Sequence, residues 1–441
     1  MSRPVLVRGG SVLDVGSGRW LAEDLLLAGG RVAARGRPGS LSVDSADVVD
    51  ATGLLVTPGL VDAQVNGAAG ADLTREPRRI AEVARALPRH GVTSFVPTVI
   101  TAPAGTVEAA LAAAAALPDV GLMDGGLVDG GAAAARVVGV HAEGPFLAPA
   151  RRGAHPAEHL RLPDRRFVEG WTREAGVVTA TVAPELPGAL DVIRDLVARG
   201  VTVWLGHTES GYDDAVAAVD AGARGVTHLF NAMPWLDHRA PGLVGAALGD
   251  RRLVAGIIVD GYHVHPAAVR TAWNALGDGR FMLVSDTTAA LGLPSGRTVL
   301  GDQDVVLEGD VVRLAYSPGG RGGPGGRTLA GSAVGLDHCV RTLVAMTGCD
   351  PARAFVCATR VPADLLGRPD LGRLDVGAVA DVALWAPGLT LAGLMLAGRP
   401  VATDAHPDDE LAGTSGNSGC NRAGEATLLG NSAACCHHGT S

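Results

Sequence analysis

Val201-Thr202-Val203-Trp204-Leu205-Gly206-His207-Thr208 and Gly225-Val226-Thr227-His228-Leu229-Phe230-Asn231 decide the fold. Each is a short apolar run that stops in a polar cluster containing a histidine. Asp213–Ala221, between them, has helical spacing. A run this short, bounded by turns and followed by a helix, is one β/α unit. The unit recurs on both sides. Leu60–Val65, Thr93–Thr98, Val137–His141, Val177–Ala183, Leu253–Val259 and Phe281–Ser285 read as further strands. Arg78–Pro88, Val107–Leu117, Leu190–Arg199 and Ala267–Leu276 read as helices between them. Eight strands alternating with helices predict an α/β fold, a (β/α)8 barrel, with its active site at the C-terminal strand ends. A doubly wound sheet is the alternative, but no glycine-rich phosphate loop follows the first run.

The flanks read differently. Residues 1–57 hold short apolar runs around Gly9-Gly10 and Gly29-Gly30, both hairpin signals. Val379–Trp385 and Leu391–Ala397 return to short strands. We therefore expect a small β-sandwich from both chain ends, residues 1–57 and 373–403, around a barrel over 58–372. Asp304–Leu314 reads as a hairpin and Pro318–Gly326 as an inserted loop. Residues 404–441 are rich in Gly, Ser, Asn and Ala without a period, and read as a disordered tail.

Composition narrows the chemistry. The 441 residues are 47% hydrophobic and carry a net charge of −9, so nucleic acid and anionic membrane are not expected partners. No basic segment precedes an apolar run at the N-terminus, no apolar stretch reaches membrane length, and six cysteines lack zinc-ribbon spacing. A reduced, cytoplasmic protein is expected. All 37 basic residues are arginine. Lysine Schiff bases, P-loop lysines and a carboxylated lysine bridging two metals are all excluded.

A single histidine at a strand end reads as structural. Here Glu143, His207, His228 and Asp286 end four separate strands of one barrel. One carboxylate and two imidazoles suit a catalytic divalent ion with an open position. Asp286 is then placed to take a proton from water and return it to a leaving group. Gln64 and Asn66 lie two apart, so they share a strand face. Many metallohydrolases carry His-x-His there. Amides are poor ligands for a zinc-like ion, so Gln64 and Asn66 are expected to make polar contacts instead. His141 has a choice between supporting the site and plain packing, His265 has no assignable role, and His90, His159, His238 and His338 read as surface or helix residues.

Pro58–Gly67, His141–Phe146, Gly153-Ala154-His155, Gly206-His207-Thr208, Thr227–Pro234, Asp260–Val264, Ser285-Asp286 and Leu329–Ser332 together resemble the amidohydrolase superfamily, and within it the N-acetylglucosamine-6-phosphate deacetylases. The resemblance runs from about residue 1 to 400. It implies hydrolysis of the acetamide of a phosphorylated amino sugar, with Glu143, His207 and His228 holding one divalent ion. Zinc is the expected ion; iron, cobalt and manganese also suit the donors. It implies that Asp286 is general base then general acid, and that His155 meets the acetamide carbonyl. It implies substrate contacts at Ala154, Asn231, Ala232, Leu329, Ala330 and Gly331, with Arg239 and His263 on the 6-phosphate, and a homodimer in which a neighbour can supply a phosphate contact. The alternatives are a deacetylase of N-acetylgalactosamine 6-phosphate or another N-acyl substrate, and a catalytically idle scaffold.

Overall fold

The computed structural model describes residues 3–41, 45–117, 127–128, 132–316 and 328–401. Pro318–Gly326 and the tail after residue 403 lie outside the described residues.

Eight parallel strands form the barrel wall. They are Leu60–Val65 (β1), Val92–Ile100 (β2), Val140–Glu143 (β3), Val177–Val182 (β4), Thr202–Leu205 (β5), Gly225–Val226 (β6), Val254–Ile257 (β7) and Phe281–Leu283 (β8). Each pairs with the next in parallel. Just past β8, a parallel bridge between Thr287 and Val65 closes the ring onto β1. Asp62 reinforces this seam, because its Oδ1 accepts the Ser285 N–H at 3.2 Å.

The residue types explain the strands. β1, β2 and β4 are buried along their whole length. Strands covered on both faces are built from continuous β-branched and apolar residues, not from alternation. The helices show the complementary pattern. Ala189–Ala198 buries Ala189, Val192, Ile193 and Leu196, one stripe at helical spacing. Glycine appears where bulk is excluded: a Cβ on Gly225 would stand 2.3 Å from the Trp204 indole on the neighbouring strand.

Two short sheets join both chain ends into a sandwich, as the sequence predicts. Val5–Arg8 pairs with Asp24–Ala28 and Asp47–Asp50. Ser11–Asp14 and Leu55–Pro58 join Val382–Trp385 and Leu391–Leu396 in the other sheet. Val5, Val7, Leu25, Leu27, Val56, Val382 and Met395 fill the space between them. The hairpin expected at Gly29-Gly30 forms, with Ala28 opposite Arg31. The one expected at Gly9-Gly10 does not: the flanking strands belong to different sheets. Gly10 passes so near the second sheet that a Cβ would lie 2.5 Å from Val56 Cγ2, so this pair carries the chain across the sandwich.

Between β8 and the helix Leu336–Thr347 stands a four-stranded antiparallel sheet of Gly296–Leu300, Gln303–Glu308, Val311–Leu314 and Leu329–Ser332. The sequence reading finds only its central hairpin. It also misses the helix Gly242–Gly249, whose uniformly small and apolar residues carry no period.

Candidate active site

The strand ends of the barrel open into a cavity of about 710 Å³. The backbone there is unusual. Nine non-glycine residues among those described have positive φ, and four of them, His207, His228, Ala232 and Asp286, line this cavity. Such conformations are costly and persist where surroundings enforce them, which is characteristic of functional sites.

Glu143, His207 and His228 meet at the cavity floor, their ligand atoms all within 4.8 Å of one another. Glu143 Oε1 lies 3.2 Å from Nε2 of each histidine. The two Nε2 atoms are 3.0 Å apart. His207 Nδ1 faces the Arg151 carbonyl at 2.9 Å, so the proton of the neutral ring sits on Nδ1 and Nε2 presents a lone pair. Lone pairs and a carboxylate converging this closely are relieved by a shared cation, and the donor set fits one.

Asp286 is buried beside them. Burial, then the negative charge of Glu143, raise its pKa to about 7, against the opposing pull of His228, His263 and Asn66. Asn66 Nδ2 donates to Asp286 Oδ1 at 2.7 Å. Gln64 Nε2 donates to Glu143 Oε1 at 3.2 Å.

His155 has a defined tautomer. The Thr101 backbone N–H donates to its Nδ1 at 3.1 Å, and an amide N–H can only donate. The ring proton of neutral His155 therefore sits on Nε2, 4.0 Å from Glu143 Oε2. Burial pushes the imidazole well below its usual pKa and keeps it neutral.

His263 is oriented by Asp260, whose Oδ2 lies 2.7 Å from its Nδ1. His338 in turn places Nε2 3.2 Å from the Asp260 carbonyl. Ala154, Asn231, Ala232, His263, Leu329, Ala330 and Gly331 all line the cavity, with Asn66, Glu143, His155, His207, His228 and Asp286. Gln64 stands behind that lining, against Glu143. Arg239 does not join them: it is exposed, on a segment where Trp235 and Leu236 are also exposed. Arg151 and Arg152 line the cavity and were not anticipated. Arg151 pairs with Glu209, and Arg152 donates to the His155 carbonyl at 2.9 Å. Their position just before Gly153-Ala154-His155 was the available signal.

The remaining histidines divide. His141 sits between Thr98 and Thr181, with Nε2 2.8 Å from the Thr181 hydroxyl, and burial lowers its pKa to about 4. His265 caps the helix Pro266–Arg280, its Nδ1 accepting the Ala267 N–H at 3.2 Å. His90, expected as a surface or helix residue, ends the short 3-10 helix Leu87–His90 and is buried 3.1 Å from Asp337.

A barrel with this cluster at its mouth defines a metallohydrolase class, and the chain belongs to the amidohydrolase family, whose model matches residues 55–401. Its relatives include amino-sugar-phosphate deacetylases. It is 38% identical over 382 residues to N-acetylglucosamine-6-phosphate deacetylase of Bos taurus, covering 82% of this chain and 88% of the relative. It is 36% identical to N-acetylgalactosamine-6-phosphate deacetylase of Escherichia coli O157:H7, covering 84% and 92%. A solved structure of a variant N-acetyl-D-glucosamine-6-phosphate deacetylase from Mycobacterium smegmatis, in complex with N-acetyl-D-glucosamine-6-phosphate, superposes with TM-score 0.79 at 32% identity. That match covers 91% of this chain and 100% of the other.

Proposed function

We propose that the protein hydrolyses the acetamide of N-acetylglucosamine 6-phosphate to glucosamine 6-phosphate and acetate. One observation carries this reading: Asp286 and the ligand cluster share a cavity with a neutral histidine donor, in a chain similar over most of its length to deacetylases of this substrate. Glu143, His207 and His228 are the residues that would hold a divalent ion, with zinc proposed. Such an ion supplies Lewis acidity toward the carbonyl and makes a water more acidic. Asp286 takes the proton of the attacking water and later delivers it to the departing nitrogen, since an unprotonated amine leaves poorly. His155 donates Nε2–H to the oxygen on which charge develops. Asn231, Ala232, Ala154, Asn66 and Leu329–Gly331 shape the sugar site, with Gln64 behind it.

His263 meets the 6-phosphate from within the chain. Arg239 is proposed to reach the same phosphate in a neighbouring subunit, which its exposure beside Trp235 (79% exposed) supports and a homodimer requires. No helix among the described residues is long and apolar enough to cross a membrane, and a cytoplasmic location is proposed.

The Escherichia coli relative favours a second reading, in which the galacto-configured 6-phosphate is the substrate. Acetate release from a panel of N-acetylhexosamines, with and without the 6-phosphate, tests both. Fastest turnover of the gluco-configured phosphate is expected. Equal turnover of free and phosphorylated sugars would overturn the phosphate assignment.

A further inference from the structure

Gln64 in β1 and Asn66, one residue past its end, are two amides two positions apart, and each reaches a different carboxylate. Gln64 Nε2 meets Glu143 Oε1 at 3.2 Å, and Asn66 Nδ2 meets Asp286 Oδ1 at 2.7 Å. A carboxylate accepts and does not donate, so the amide N–H must point at it. We propose that Asn66 is a positioning residue for the hydrolysis, holding the Asp286 carboxylate in the orientation from which it accepts and returns the proton. This rests on the role given to Asp286 above.

The surroundings leave Asn66 this task. The Asp286 backbone is already fixed at φ +50, its N–H donating to the Gln64 carbonyl at 3.1 Å and its carbonyl accepting the Ser332 N–H at 2.9 Å. Rotation of the side chain is the freedom that remains. Asn66 removes it by binding Oδ1, and leaves Oδ2 without a protein donor among the described residues. The amide has little room to leave, because Asn66 is buried, with 2% of its surface exposed. A neutral donor lowers the carboxylate's basicity less than a cation at that place would. Gln64 stands in the same relation to Glu143, so the first strand steadies one carboxylate of the ligand cluster and the one beside it.

Full-length enzyme loaded with divalent metal is assayed for acetate release and for bound metal. Asn66→Ala is expected to lower kcat about 100-fold, the cost of slight misplacement of a reacting group, with KM within about twofold and metal content unchanged. Introduced into Asp286→Asn, Asn66→Ala should cause no additional loss, since its effect passes through the carboxylate. Asn66→Ser retains a short donor, should lose less than Asn66→Ala, and carries the test if the alanine variant does not fold. Losses that multiply in the double variant overturn the proposal. So does a loss confined to KM, or one that follows missing metal. If Asp286→Asn itself turns over normally, the role of Asp286 fails instead.

Discussion

Replacing His155 by alanine probes the site most directly. The ring is 4% exposed and held from behind, Nδ1 taking the Thr101 backbone N–H at 3.1 Å with the Thr101 hydroxyl at 2.9 Å. Its tautomer is thus set by main chain, and Nε2–H is available as a fixed donor over the ligand cluster. Removing one such donor from a developing oxyanion costs about 3–4 kcal/mol, or about 100- to 1,000-fold in kcat. KM should change little, because the bond strengthens only as charge develops. Thr101→Val separates the two supports of the ring. It deletes a neutral hydrogen bond worth about 1 kcal/mol and leaves the backbone N–H, so kcat should fall less than about tenfold. Steady-state acetate release, with bound metal measured in parallel, reads both. A His155→Ala enzyme that keeps its metal and stays within about threefold of the parent kcat would refute the donor role. A Thr101→Val enzyme as impaired as His155→Ala would refute the main-chain origin of the tautomer.

Two further outcomes are expected. Burial pushes Asp337 up, but the His90 hydrogen bond and the Arg341 charge prevail and bring it to about 2 from 3.8. That difference is worth about 2 kcal/mol, present above about pH 4 and lost as pH falls toward 2; urea unfolding should show Asp337→Asn destabilised at pH 7, and a gap unchanged at pH 3 would contradict it. Gly331 has φ +64, and a Cβ there would stand 2.6 Å from Thr288 Cγ2 and 2.8 Å from the Asp286 carbonyl oxygen; Gly331→Ala should lower kcat/KM at least about tenfold, and unimpaired kinetics would show that this wall yields.

The barrel was legible because each strand is short, apolar and closed by a polar cluster, a pattern that Trp204–Leu205–His207 and Val226–His228 repeat. The ligand set was legible for the same reason: side chains at parallel strand ends converge whatever the loops do. The Gly9-Gly10 crossing was not, because a glycine pair fits a hairpin and a close approach equally well, and only Val56 on another sheet decides. The strand Leu329–Ser332 escaped because no tight turn joins it to its partner Val311–Leu314, whereas Gly296–Leu300 turns into its partner through Gly301-Asp302 and was simply not read. The burial of His90 escaped because its hydrogen-bond partner Asp337 is far along the chain. Asn66 could be placed on the right face, but its partner Asp286 is 220 residues away, and no local pattern names it.

The seam between β8 and β1 also sets an order of assembly. As the chain leaves the ribosome, β1 emerges early and can pair with β2, while its other edge must wait for Thr287. Synthesis at about 5–20 residues per second imposes a delay on the order of 10–40 s for the intervening stretch, during which an open strand edge is available to a neighbouring nascent chain. The residues that hold and use the reactive proton sit on that seam, so catalytic competence arrives only with ring closure. Regain of activity during refolding therefore cannot precede closure of the ring.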